Sequence, residues 1–188
     1  MTAAGEASWF ETTGREVVYE GFSDVIRETV RTPDGEEMVR EIVRHDDAVA
    51  VVPVLDDGRI VLLRQYRQPL RRYVLELPAG KMDVDGESPE EVAHRELAEE
   101  IGHDARELIH LVTFQNSSGW TTEETHVYLG RGVHPVDPPE GFTPKEEEAD
   151  MEIVPFAAED VVELARRGEL TDAKTLVGLL LAGPHLGL

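Results

Sequence analysis

The sequence contains no cysteine, which rules out disulfides and thiolate metal sites and suits a reducing compartment. Basic residues are scarce: 18 Lys and Arg against 39 Asp and Glu leave a formal charge of −21. Such a field repels nucleic-acid backbones and anionic membrane surfaces. Long apolar runs are missing too, since the best one, Leu176–Ala182, falls well short of the roughly 20 residues needed to span a bilayer. Met1–Trp9 lacks the basic region and apolar core of a signal peptide. The expectation is a soluble, cytoplasmic protein with neither nucleic acid nor membrane as partner. No Gly-x-Ser-x-Gly turn is present to carry a nucleophilic serine. The seven histidines show no metal-ligand spacing. Net charge does not exclude a small phosphate ester, because divalent ions held on carboxylates reverse the charge locally.

What is present is a chain of 188 residues, 40% of them hydrophobic, enough for one substantial core. Val25–Val30 and Met38–Val43 alternate in character around Pro33-Asp34-Gly35 and predict an antiparallel hairpin. Ala48–Leu55 and Ile60–Tyr66 are almost wholly apolar and flank a turn at Asp56–Arg59, as core strands do. Further strands are expected at Val74–Leu77, Leu108–Phe114, Thr125–Leu129 and Met151–Val154, and helices at Pro89–Ile101, Ala158–Arg167 and Thr171–Ala182. Val133–Glu148, with four prolines and a run of acids, reads as a long surface loop. Strands before, around and after a few helices predict an α/β protein, a mixed sheet covered by helices.

The most informative segment is the helix from Pro89. Ser88 stands at the N-cap, Pro89 at the first helical position and Glu91 where it completes a capping box. Val92, Ala93, Leu97 and Ile101 make the apolar seam. Glu96, Glu99 and Glu100 stand at i, i+3 and i+4, so they share one patch about a turn long. Three like charges there need a counter-charge. Magnesium takes oxygen ligands and keeps several waters, so carboxylates plus a substrate phosphate suit it. A calcium loop at Asp83-Val84-Asp85-Gly86 is excluded because glycine is fourth and His94 twelfth, where that motif needs glycine sixth and glutamate twelfth.

Gly80, Glu87, Arg95, Glu96, Leu97, Glu99, Glu100 and Gly102 together resemble the signature of the Nudix hydrolase family. The pattern departs twice: six residues rather than five separate Gly80 from Glu87, and His103 stands where an apolar residue normally follows the last glycine. The resemblance implies a Nudix α/β/α sandwich with a mixed sheet at residues 46–188. The antiparallel strands of residues 1–45 would then serve dimerisation and extend the substrate pocket. It also implies that Glu96, Glu99, Glu100 and the carbonyl of Ala79 bind Mg2+, or else Mn2+. Glu87 would pair with Arg95 to hold the loop on the helix. Divalent ions would neutralise a pyrophosphate and activate water for in-line attack.

Leu63–Arg67, Glu76–Gly80 and Asp172–Thr175 are similar to segments of the ADP-ribose pyrophosphatase branch. By that likeness the substrate is a nucleoside diphosphate sugar, ADP-ribose first, cut to AMP and ribose 5-phosphate by a homodimer. One glutamate of the run Glu146-Glu147-Glu148 is expected as metal ligand or base, Glu148 ahead of Glu147, joining Glu99, Glu100 and Arg95 in catalysis. Arg64 and Arg67 fall on opposite faces of a strand, so only one can meet substrate phosphates; Arg67 is preferred. Ser117, Gly119 and Glu123 lie in a loop expected to contact substrate, with Ser118 replacing the usual proline. Trp9, Phe10, Tyr19 and Trp120 could stack on adenine, although core or interface packing is their expected use. The alternatives are a pyrophosphatase for another nucleoside diphosphate sugar and a module that binds ADP-ribose without cutting it. The intact carboxylate set argues against the second.

Overall fold

The computed structural model describes residues 9–137, 139, 141, 143 and 150–188. The chain divides into two compact units. The first runs through Asp46 and includes Gln115–Glu123, and the second comprises Asp47–Phe114 and the chain from Glu124.

The first unit holds a three-stranded antiparallel sheet in the order β1-β2-β3, with β1 at Glu11–Tyr19, β2 at Asp24–Arg31 and β3 at Glu37–Arg44. The hairpin predicted around Gly35 is β2–β3, in register from Asp24↔Arg44 to Arg31↔Glu37. Gly35 takes a φ of 91°, which only glycine adopts without strain. The strand β1 was not expected. Its side chains are mostly exposed, so it lacks the half-buried alternation that betrays a strand in sequence. Trp9, Phe10, Tyr19 and Trp120 are 72%, 49%, 61% and 60% exposed. Core packing is therefore not their role within one chain.

The second unit carries an eight-stranded mixed sheet, ordered β11-β5-β4-β10-β8, with β6 on β5, β7 on β4 and β9 on β10. Its elements are β4 (Ala48–Leu55), β5 (Arg59–Arg67), β6 (Arg72–Glu76), β7 (Ala79–Lys81), α1 (Pro89–Ile101), β8 (His103–Asp104), β9 (Glu107–Gln115), β10 (Glu124–Pro135), β11 (Glu152–Ala157), α2 (Ala158–Arg166) and α3 (Ala173–Leu186). The central pair β4–β10 is parallel, from Thr125↔Ala48 to Val133↔Leu55. β10 runs six residues past the expected end at Leu129, so the predicted loop begins later than Val133.

The sheet is covered on both faces, which explains why β4 and β5 are apolar without alternation. Val49, Val51, Val61 and Leu63 pack with Val92, Ala93, Leu97 and Ile101 of α1. Ala50, Val52, Ile60 and Leu62 pack on the other side with Val161 and Val162 of α2 and Leu179 and Ala182 of α3. This is an α/β/α sandwich. Helix α3 comes close to the sheet at Gly178, where a Cβ would lie 2.7 Å from Leu77 Cδ1 and 3.0 Å from Val52 Cγ2. Among the described residues no helix is long and apolar enough to cross a membrane.

Candidate active site

Local sequence fixes the ends of α1. Ser88 Oγ accepts from the Glu91 amide at 3.3 Å, and Glu91 Oε2 accepts from the Ser88 amide at 2.8 Å. Gly102 closes the helix in the left-handed region at φ 63°, where a side chain would be strained. The apolar seam then leaves Arg95, Glu96, Glu99 and Glu100 to the side that meets β7 and the loop before the helix.

Arg95 organises this cluster. Its guanidinium donates to Glu87 Oε2 at 3.2 Å, Glu96 Oε1 at 2.6 Å, Glu99 Oε2 at 3.3 Å and the Lys81 carbonyl at 3.1 Å. The Glu87–Arg95 pair expected from the sequence is thus present. Glu96 is only 7% exposed. Burial raises its pKa to about 7, helped by the nearby Glu99 charge and opposed by Arg95. Glu100 is held differently, accepting the Ala79 amide at 2.8 Å. Burial, followed by the Glu96 charge, raises its pKa to about 8, against the opposing pull of the Ala79 amide, Lys174 and Arg67. The carboxylate of Glu96 occupies the space where a side chain on residue 80 would be. Gly80 is therefore a glycine for room, on a short strand paired Gly80↔Val49 and Ala79↔Ala50.

A divalent cation fits the chemistry of this set. All the donors are oxygens, and neighbouring carboxylates raise the proton affinity of both, Glu99 and Asp83 acting on Glu96 and Glu96 on Glu100, a condition that a hard dication relieves. The carboxylates are nevertheless engaged with protein donors, Glu96 with Arg95 and Glu100 with the Ala79 amide. Among the described residues no three His, Asp or Glu side chains form a group that could hold an ion. Glu147 and Glu148 lie outside the described residues.

The two arginines of β5 differ in their settings. Arg67 donates to both oxygens of Glu76, Nε to Oε1 and Nη2 to Oε2, each at 2.8 Å. Glu76 is 2% exposed and also pairs with Lys174. Burial alone would raise its pKa, but Arg67 and Lys174 overcome this and hold it at about 2. Arg64, three residues away, faces the other side of the strand. It pairs with Glu152 at 3.1 Å and lies 3.9 Å over the Tyr73 ring, whose hydroxyl donates to Asp150 at 2.6 Å. Arg67 is also among the charges that act on Glu100.

Ser117, Gly119 and Glu123 belong to the first unit. The Ser117 carbonyl accepts from the amides of Trp120 and Thr121 at 2.9 and 3.0 Å, a tight turn with Gly119 inside it. Glu123 Oε1 is 3.9 Å from His45 Nδ1. His45 also lines an open cavity of about 300 Å³ with Phe22, Ser23, Asp24 and Arg44. This cavity carries no role in the sequence, and neither do Glu76, Lys174 and Thr175 singly. The signals the sequence offers for these three residues are the likeness of Glu76–Gly80 and Asp172–Thr175 to family segments and two opposite charges, Glu76 at the end of a strand and Lys174 at the start of an apolar helix.

The NUDIX domain model matches residues 44–176. An ADP-ribose pyrophosphatase of Bacillus subtilis (strain 168) is 37% identical over 166 residues, covering 88% of each chain. An ADP-ribose pyrophosphatase of Mycobacterium tuberculosis is 37% identical over 172 residues, covering 91% of this chain and 82% of that one. A solved ADP compounds hydrolase superposes with a TM-score of 0.83 over 98% of this chain and 97% of its own, at 24% identity, a likeness of fold.

Proposed function

The chain belongs to the Nudix family of hydrolases, and from that membership we propose that it cleaves the pyrophosphate of ADP-ribose to AMP and ribose 5-phosphate with Mg2+ or Mn2+. The observation that carries the reading is the pair of Glu96, buried, and Glu100, half-buried, both beside the turn at Ala79 and Gly80 and both with a raised pKa. Two such carboxylates side by side are unfavourable unless something positive joins them. Relatives named for ADP-ribose hydrolysis align over most of the chain.

Glu96, Glu99, Glu100 and the Ala79 carbonyl would hold the ion, with Glu148 or Glu147 completing the set or serving as base. When bound, divalent metal supplies charge neutralisation on the pyrophosphate and activation of water for in-line attack. Arg95 fixes the carboxylates of Glu96 and Glu99 through the contacts described, and keeps the loop at Glu87 against α1. Arg67, on the side whose charge reaches Glu100, is assigned to substrate phosphate, with Arg64 second. Ser117, Gly119 and Glu123 are assigned to the sugar nucleotide. Exposed Val17, Val18, Tyr19 and Val39 on β1 and β3 support a homodimer formed through the first unit, since apolar strand surface of this kind favours burial against a second chain. A cytoplasmic site of action goes with the absence of cysteine.

A second reading, hydrolysis of another nucleoside diphosphate sugar, is favoured by Ser118 where the branch carries proline. The test is release of nucleoside monophosphate from a panel of nucleoside diphosphate compounds, with Mg2+, with Mn2+ and with chelator. AMP from ADP-ribose only in the presence of metal is expected. A stronger signal from another sugar nucleotide would replace the substrate, and no cleavage with metal present would sink the hydrolytic reading.

A further inference from the structure

The turn from Glu76 to Gly80 links β6 to β7 and carries both the Ala79 amide and the small residue that makes room for Glu96. Its own anchorage comes from α3. The Leu77 amide donates to Thr175 Oγ1 at 2.9 Å, and the Thr175 hydroxyl donates to Asp172 Oδ2 at 2.6 Å. Asp172 Oδ2 also accepts the Thr175 amide at 2.9 Å, as the N-cap of α3. Thr175 and Leu77 are both 0% exposed, so the bond between them is closed to solvent. Pro78 has no amide, and its carbonyl accepts from the Val51 amide at 3.0 Å. Along Leu77-Pro78-Ala79 the two available amides therefore go one to Thr175 and the other to Glu100. The direction of the second depends on the first, because a single proline of fixed φ separates them.

We propose that Thr175 is a positioning residue for the metal site. Its hydroxyl holds the turn so that the Ala79 amide meets Glu100, and so sets how well Glu100 can serve as a ligand. The inference rests on the metal-hydrolase reading given above. It concerns a residue that touches neither the proposed ion nor substrate.

The chemistry is selective for a hydroxyl. Threonine at this position accepts one hydrogen bond and donates another, which serine reproduces. Valine, of nearly the same shape, leaves the buried Leu77 amide without a partner, an expensive arrangement that the turn relieves by moving. Groups that orient a metal-binding carboxylate typically alter metal affinity by about 10- to 100-fold when removed.

The experiment measures Mn2+ binding to the full chain without substrate, from the loss of the free-ion EPR signal, for the wild type, Thr175→Val and Thr175→Ser, with thermal unfolding beside it. We expect Thr175→Val to bind Mn2+ about 10-fold or more weakly and to lose kcat with little change in KM, and Thr175→Ser to bind within about 3-fold of the wild type because the same hydrogen bonds re-form. A valine variant with wild-type Mn2+ affinity overturns the proposal, even if its Tm falls, as does a serine variant as weak as valine. If valine does not fold, Thr175→Ala removes the same hydroxyl without bulk and is judged by the same outcomes. A wild type that takes up no Mn2+ would instead overturn the metal-site reading on which the proposal stands.

Discussion

The Ala79 amide donates to Glu100 Oε2 at 2.8 Å, tying the turn after β6 to the last turn of α1. Glu100 is thus positioned by a backbone group while Glu96 is positioned by Arg95. Glu100→Gln keeps the hydrogen-bond acceptor and the size but removes the charge. Turnover should fall at least about 100-fold, as when a metal site is dismantled, with circular dichroism and Tm near wild type. Near-normal turnover would remove Glu100 from the metal site.

Gly80→Ala tests the room left for Glu96. The added methyl would overlap the Glu96 carboxylate, and Glu96, almost fully buried, has little space to yield. A displacement of about 1 Å at a reacting centre typically costs on the order of 100-fold in rate. We expect kcat to drop by at least about 10-fold, and Mn2+ binding to weaken alongside it. Wild-type kinetics in this variant would mean that the carboxylate moves freely.

The Glu76 network offers a test of stability against pH. Glu76 sits at a pKa of about 2 rather than 4.5, so its contribution is present above the unfolded value and is lost as pH falls through the folded one. Glu76 is buried, but Arg67 is 36% exposed, so water screens part of what is lost when the pair is broken. Glu76→Gln should therefore be destabilised by about 1–3 kcal/mol at pH 7, less than for a fully buried pair. Its deficit relative to wild type should shrink as pH falls from about 4.5 to about 2. Urea titrations at several pH values measure this, and a deficit constant across the range would contradict it.

Gly178→Ala probes the contact between α3 and the sheet. A methyl there would stand 2.7 Å from Leu77 Cδ1 and 3.0 Å from Val52 Cγ2. Helix propensity favours alanine by about 1 kcal/mol, whereas overpacking typically costs about 1–3 kcal/mol. The net expectation is a lower Tm. A variant more stable than wild type would show that α3 can back away from the sheet without loss.

The parts legible in the sequence were those whose determinants lie close together along it. Ser88, Pro89, Glu91 and Gly102 all act within or at the ends of α1, and the sequence pattern predicts that helix from Pro89 to Ile101. The buried strands β4 and β5 were likewise visible, since covering both faces of a sheet leaves an unbroken apolar run. The short strands β7 and β8 have only three and two residues and exist because a distant partner pairs with them. No local pattern marks such strands. The same holds for Glu76 and Lys174, which meet only after β6 and α3 have packed. The aromatic side chains at Trp9, Tyr19 and Trp120 are exposed in the single chain, so their hydrophobicity alone did not predict burial.

The parallel pairing of β4 with β10 has a consequence for how the chain is made. Ala48 pairs early with Lys81 on one edge, but on the other it finds its partner only when Thr125 has been synthesised, and closing so distant a contact is entropically slow. Helix α1, encoded between the two strands, is complete before the middle of its sheet can zip up. Until β10 arrives, one edge of β4 is open, and its apolar side chains invite pairing with another molecule. A nascent chain paused before Glu124 should thus keep that edge of β4 open; synthesis through Pro135 closes the edge, while the sheet face that α2 and α3 cover stays bare until those helices follow.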